Sequence, residues 1–360
     1  MRRTAALIVG GGPAGSAAAI ALAGAGVEAE LIERTGGPHD VVCGGFLGWD
    51  ALAALERLGL EPAALRARPI RRLRLISAER QVEMPLPRLA AGLSRRTLDE
   101  ALIEAARRAG TRIRRGRTVR AADLAQRSLR LDDEEGLAGD ALVLATGKHE
   151  LRGAARPVDM STRPLGLRTS LRPGRALADA VEGVIELHLY DGGYAGLLLQ
   201  EDGSANLCLS ASRDRLKEAG GVEPLLARLA GELPAFAARL ADGEASGWSA
   251  VSGVPYGWRA AGTADGVYRV GDQAAVIASL AGDGIAIALE SGIAAARAIA
   301  ARRPAAEFQR DWSRRARQPV GLAEVLRRSA ENPLARNAMM GLLGWFPSLA
   351  PLAARLTRIG

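Results

Sequence analysis

Gly10-Gly11-Gly12-Pro13-Ala14-Gly15 sits between a short apolar run, Ala5 to Val9, and an Ala-rich stretch reaching about Ala23. Apolar strand, glycine turn and helix in that order make a phosphate cradle. Gly10 permits the tight turn, Gly12 lets backbone approach a pyrophosphate, and Gly15 lets the helix pack closely on the sheet. The helix opens at Pro13 and Ala14, where unpaired N–H groups and the positive end of the helix dipole face an anion. A second strand, Val27 to Ile32, follows, and Glu33 ends it 21 residues after Gly12, placed to accept hydrogen bonds from a ribose. Arg34 joins Glu33 as a candidate cofactor contact. The pattern specifies a dinucleotide and leaves FAD and NAD(P) both open.

At 360 residues the chain is too long for one minimal domain and fits a nucleotide-binding fold with a second sheet inserted into it. An apolar fraction of 48% leaves ample material for a core. The two cysteines, Cys43 and Cys208, have no metal-type spacing, so neither a disulfide framework nor a structural metal is expected. The net charge of +8 raises the question of nucleic acid, but of 48 basic residues only Lys148 and Lys217 are lysine. The excess is an Arg-rich compositional bias without basic clusters interleaved with stacking aromatics, so no nucleic-acid partner is expected. The N-terminal apolar run is broken by glycines and is neither a signal-peptide core nor a span, which makes a cytoplasmic location the expectation.

Further along, Trp49 to Leu58 reads as a helix stopped by Gly59, Arg71 to Met84 as a strand pair, and Thr97 to Arg108 as an amphipathic helix. Short strands from Arg112 to Leu131 precede a buried strand, Ala141 to Ala145. From Leu165 to Ser212 the period changes to two, with strands Val184 to Tyr190, Gly193 to Gln200 and Ser204 to Ser210 between Gly-rich turns. Strand Val267 to Val270, a loop and helix Gly284 to Ala301 return to the opening style. Residues 304–360 read as wholly helical, with Pro319, Pro333, Pro347 and Pro351 as candidate helix starts. The expected class is α/β: a Rossmann-like FAD/NAD(P)-binding domain, an inserted antiparallel β-sheet substrate domain, and C-terminal helices. The expected bounds are 1–70, 95–160 and 255–303 for the nucleotide domain, 71–94 and 161–254 for the substrate domain, and 304–360 for the helical tail.

Three further segments resolve the cofactor. Cys43-Gly44-Gly45, Ser94-Arg95-Arg96-Thr97-Leu98-Asp99, and Val270-Gly271-Asp272 with Gly282-Asp283-Gly284-Ile285 and Ser291-Gly292 occur in this order. Together with the cradle they resemble the geranylgeranyl-reductase-like branch of the p-hydroxybenzoate-hydroxylase-like FAD proteins, over nearly the whole chain. The resemblance implies FAD as cofactor, with Arg95 touching it and Cys43, Gly44 and Gly45 near its isoalloxazine and the substrate. Asp272 would bond the ribitol, and Gly282, Gly284 and Ile285 would present a helix N-terminus to the flavin ring. Ala145-Thr146-Gly147 ends a buried strand as the corresponding segment does in many flavoproteins, and Val119 completes the cofactor candidates. The Asp of the aromatic-hydroxylase motif is missing near Thr146-Gly147, and no second GxGxxG follows. NADH or NADPH is therefore a transient reductant at most, and a partner electron carrier is the alternative.

On the substrate side the candidates are Cys43, Tyr194, which in the related branch is an aromatic facing the flavin, and His188 with Tyr190 on one face of a strand as proton donors. Lys148 and His149 read as a solvated loop, and Cys208 as core. The implied activity is an FAD-dependent reductase or dehydrogenase acting on a small apolar, isoprenoid-like or long-chain substrate. Two alternatives stand beside it: a monooxygenase hydroxylating an aromatic or polyketide-type compound, and a non-catalytic prenyl-binding carrier. The tail mixes apolar residues with Arg327, Arg328, Arg336, Arg355 and Arg358. Such helices can lie on a membrane, cap a cavity or pack on the domain.

Overall fold

A computed structural model describes every residue except Met1, Met160, Thr162, Pro347 and Gly360. Strand Arg2–Val9 is the centre of a seven-stranded sheet. It pairs in parallel with Ala29–Glu33 on one side and Gly136–Leu144 on the other, and these pair in parallel with Arg112–Arg115 and Val267–Arg269. Alternation along the central strand sends Ala6 and Ile8 to one face and Leu7 and Val9 to the other. On the first face lie the helices Pro13–Gly24, Arg95–Arg108 and Gly284–Ala300; on the second, Ala122, Leu129 and Leu131 of an antiparallel meander. This is the expected α/β nucleotide fold.

The second sheet has nine strands. Strands Arg68–Ile76 and Gln81–Gly92 continue into Val184–Tyr190, Gly193–Leu199, Ala205–Ala211 and Leu165–Pro173. Every pairing is antiparallel except that of Val184–Tyr190 with Arg68–Ile76. Its outer face is covered by helices Arg175–Val181, Arg213–Ala219, Val222–Glu232 and Pro234–Ala241, which the period-two reading of this region had not foreseen. The signal is present: Leu225, Leu229, Leu233 and Phe236 follow helical spacing and are all buried. Ser212 caps the first of the last three, accepting from the amide of Arg215 at 3.2 Å.

The tail consists of helices Ala305–Arg315, Arg317–Glu331, Pro333–Trp345 and Leu349–Leu356. Pro333 begins its helix behind an Asn332 cap, as proline at a first position should, whereas Pro319 and Pro351 each lie at the third residue of theirs. Pro347 lies outside the described residues.

Candidate active site

Helix Pro13–Gly24 meets its strand so closely that a Cβ on Gly15 would stand 1.9 Å from the Gly10 carbonyl oxygen. Gly15 is therefore a packing residue, and it does not line the cavity that the turn opens onto. That cavity measures about 840 Å³. It begins at Gly10, Gly12, Pro13 and Ala14, passes Glu33, Arg34, Arg95, Val119 and the Ala145-Thr146-Gly147 segment, and continues to Cys43, Gly44, Gly45, Asp272, Gly282, Gly284 and Ile285. Segments remote in sequence thus share one wall.

The electrostatics of this wall follow from its hydrogen bonds. Glu33 accepts from the Gly11 amide at 2.7 Å and from the amide and hydroxyl of Thr35 at 2.8 Å. Burial works against its charge, and these donors outweigh it and hold the carboxyl below its usual range. Arg95 makes a two-pronged ion pair with Asp99, both contacts at 2.7 Å, while Ser94 caps the same helix through the Thr97 amide. The Ser-Arg-Arg-Thr-Leu-Asp segment is thus a capped helix start whose arginine is aimed by its own i+4 aspartate. Its guanidinium stands beside Gly12, where an added Cβ would meet it at 3.2 Å. Arg34 donates to His149 at 2.8 Å on the rim.

Cys43-Gly44-Gly45 is pinned from the second sheet: the Asn206 amide donates to the Cys43 carbonyl at 3.0 Å, and Arg168 holds both Asn206 and Asp40. Gly45 has φ of +67°, a conformation other residues reach only with strain, and the amide of Gln200 would meet a Cβ there at 2.7 Å. Lys148 lies 3.4 Å from Asp272 on the cavity wall, and that carboxylate raises the ammonium pKa. A solvated loop was the expectation for Lys148; the structure makes it part of the site.

Of the helices that start at the cavity, Pro13–Gly24 and Gly284–Ala300 have no side-chain cap, unlike Arg95–Arg108. Asp283, the residue before the second, turns away to receive Arg358 at 2.9 Å and the Ile359 amide at 3.0 Å. Open amide ends at both termini of the cradle, with Arg95 and Lys148 between them, fit an extended dinucleotide that carries a pyrophosphate and a polar ring system.

Beyond Cys43 the same cavity becomes apolar. Leu75, Met84, Leu187, Leu189 and Leu198 of the second sheet face Met339, Leu342 and Leu343 of the tail. Tyr194 lines this chamber and is only 3% exposed; its buried hydroxyl lies near Tyr256 and Ser279 without a well-formed hydrogen bond to either. Burial pushes its pKa well above the ordinary tyrosine value, so it stays protonated. Tyr256 and Ser279, which join each other at 3.1 Å, also line the chamber and were not singled out in the sequence.

His188 and Tyr190 are a correction. They share a face, as expected, but it is the face turned away from the cavity. His188 is fully buried, 3.1 Å from Glu186 and edge-on to Phe236, and the Tyr190 hydroxyl donates to the Ser210 carbonyl at 2.9 Å. Neither lines the cavity. Cys208 is the converse case: expected in the core, it lies on the chamber wall, with burial raising its thiol to about 12.

Residues 3–152 match the family model described as FAD binding domain. This part of the chain is similar to that FAD-binding family. The flavoprotein is 28% identical to a protein named menaquinone reductase from Mycolicibacterium smegmatis, across 81% of its own length and 75% of that relative's. Among solved structures, it superimposes on the flavin-dependent brominase Bmp2 with a TM-score of 0.82 at 18% identity, covering 99% of this chain and 93% of that one. A geranylgeranyl bacteriochlorophyll reductase-like protein from Thermoplasma acidophilum gives 0.71 at 18% identity, covering 99% and 100%. At such identities the structural matches establish a shared fold, and that fold hosts reductases and halogenases alike. Together the family match and the relative support a coarse assignment, an FAD-dependent oxidoreductase.

Proposed function

We propose that the flavoprotein is a reductase or dehydrogenase for an apolar, isoprenoid-like or long-chain substrate bearing a polar oxygen at the end that meets the cofactor. The observation carrying this reading is the continuity of the Gly-rich cradle with a chamber walled by leucine and methionine, with Tyr194 in its wall. When bound, FAD supplies hydride exchange. The chain's own residues do the rest. Gly10 to Ala14, Glu33 and Arg95 bind the dinucleotide, and Lys148 with Asp272 orients its middle. Leu187, Leu189 and Met84 exclude water from an apolar chain. Tyr194, neutral at physiological pH, donates a hydrogen bond or a proton to the substrate's oxygen. The name of the menaquinone reductase relative is consistent with a prenylated acceptor.

The test is an anaerobic one. Enzyme reduced by NADH, NADPH or dithionite is mixed with prenylated naphthoquinones, other polyprenyl acceptors and tail-less analogues. Return of the oxidised flavin spectrum with the prenylated acceptors, and much slower return with the analogues, is the expected result. No return with any acceptor removes the reading. Oxygen uptake stimulated by aromatic compounds, with labelled oxygen in the product, replaces it with the monooxygenase. The nicotinamide arms also decide whether a separate electron carrier is required.

A further inference from the structure

The tail carries a surface that the fold leaves uncovered. Leu334 and Trp345 are 83% and 84% exposed, and Phe346 and Leu352 are more than half exposed. Among the described residues every exposed large apolar side chain except Leu89 falls between Val325 and Leu356. A concentration of this kind marks an interaction face.

Its charge is one-sided as well. Residues 332–359 contain Arg336, Arg355 and Arg358 and no aspartate or glutamate, in a chain with 40 acidic residues. Arg336 is held by Asp191 and Arg358 by Asp283, while Arg355 is exposed among the apolar residues. Leu342 and Leu349 belong to this exposed set and also line the chamber, so the surface and the chamber adjoin. No helix among the described residues is long and apolar enough to cross a membrane.

We propose that this surface docks on an anionic lipid bilayer, with helices Pro333–Trp345 and Leu349–Leu356 in the plane of the interface and the chamber opening toward the lipid. Trp345 is the type of side chain that settles at headgroup depth, and Arg355 meets the phosphates. A second copy of the chain is a poorer occupant, because two such faces bring like charges together. Docking stands on the surface alone; the opening of the chamber toward lipid rests on the substrate reading above.

The experiment uses the full-length, FAD-loaded protein in co-sedimentation with vesicles of phosphatidylcholine alone or mixed with phosphatidylglycerol. Wild type is expected to sediment with the mixed vesicles. The triple variant Leu334→Ser/Trp345→Ser/Leu352→Ser is expected to lose about tenfold or more of this partitioning, and Arg355→Gln a few-fold on the anionic vesicles only. Unchanged flavin absorbance and thermal midpoint show that the variants remain folded. Wild type remaining in the supernatant overturns the proposal, as does a triple variant that binds like wild type. So does a dimer in sedimentation velocity that the triple variant abolishes, in the absence of vesicle binding. The triple variant should turn over detergent-dispersed substrate at the wild-type rate and fail only with substrate embedded in vesicles. Vesicle binding without turnover of any lipid would remove the substrate reading and leave docking intact.

Discussion

Tyr194 has a hydroxyl that is buried in the wall of an apolar chamber, near Tyr256 and Ser279 but without a well-formed hydrogen bond, an arrangement that is unfavourable unless something else supplies the partner. Tyr194→Phe is therefore expected to leave stability unchanged or raise it by about 1 kcal/mol, while slowing transfer to the acceptor by about 10²-fold. A stopped-flow trace beside a denaturant titration separates the two effects; a loss of stability with full activity would make Tyr194 a packing residue. Lys148→Met removes the ammonium beside Asp272, and FAD should bind to the apoprotein about tenfold more weakly, with Lys148→Arg intermediate. Fluorescence titration reads this directly, and equal affinities would remove Lys148 from the site. The glycine, Glu33 and Asp272 positions were legible in the sequence because each answers to a local geometry. His188 and Tyr190 were not. Both faces of their strand are covered, one by helices and one by the chamber, so alternation marks two sets of residues without saying which set meets the ligand.

Strand Val184–Tyr190 also shows what holds the second sheet to its helices. Glu186 is fully buried and receives Arg74 at 2.5 Å, Arg239 at 2.9 Å and His188 at 3.1 Å, tying the neighbouring strand and helix Pro234–Ala241 to one carboxylate. Burial alone would raise its pKa; His188 and Arg239 reverse this and bring it to about 2 from the usual 4.5. The folded state thus holds this proton less tightly than the unfolded chain does. The stabilisation is complete above pH 4.5 and fades as the pH falls toward 2, by an amount of about 3 kcal/mol. Glu186→Gln should lower stability at pH 7 by about 3 kcal/mol and flatten the acid limb of the stability profile, measured by urea unfolding between pH 3 and pH 7. An unflattened limb would assign acid unfolding to other carboxylates. Strands and long helices of this fold were readable because their periods persist over many residues. The four helices on the outer face of the second sheet were harder: three of them span only seven or eight residues, and each becomes stable by packing on a sheet rather than by its own propensity.

Across the whole molecule, the residues that end the tail close back onto the loop that begins the flavin-side helix. Arg358 donates to the Gly282 carbonyl at 3.0 Å and to Asp283 at 2.9 Å, and its guanidinium lies 4.4 Å from the centre of the Trp49 ring. No sequence pattern announces this contact, since its partners are 75 residues apart and neither belongs to a periodic segment. Burial raises the Asp283 pKa to about 6 against the pull of Arg358. An aspartate raised in this way binds its proton more tightly folded than unfolded. Its contribution to stability is therefore greatest below pH 3.8 and declines as the pH rises through about 6. Removing the arginine leaves a buried carboxylate without its counter-charge, a cost that exists only where the carboxylate is ionised. Arg358→Met should accordingly lower stability by about 3 kcal/mol at pH 8 and by much less at pH 5, whereas Asp283→Asn should show little of this pH dependence. Thermal midpoints at the two pH values decide the point, and equal losses at both would mean that Arg358 acts by packing on Trp49. Because Gly282 and Gly284 flank Asp283 in the cradle, flavin retention on a desalting column should follow the same pH dependence, which would tie the tail to the cofactor loop through one ion pair.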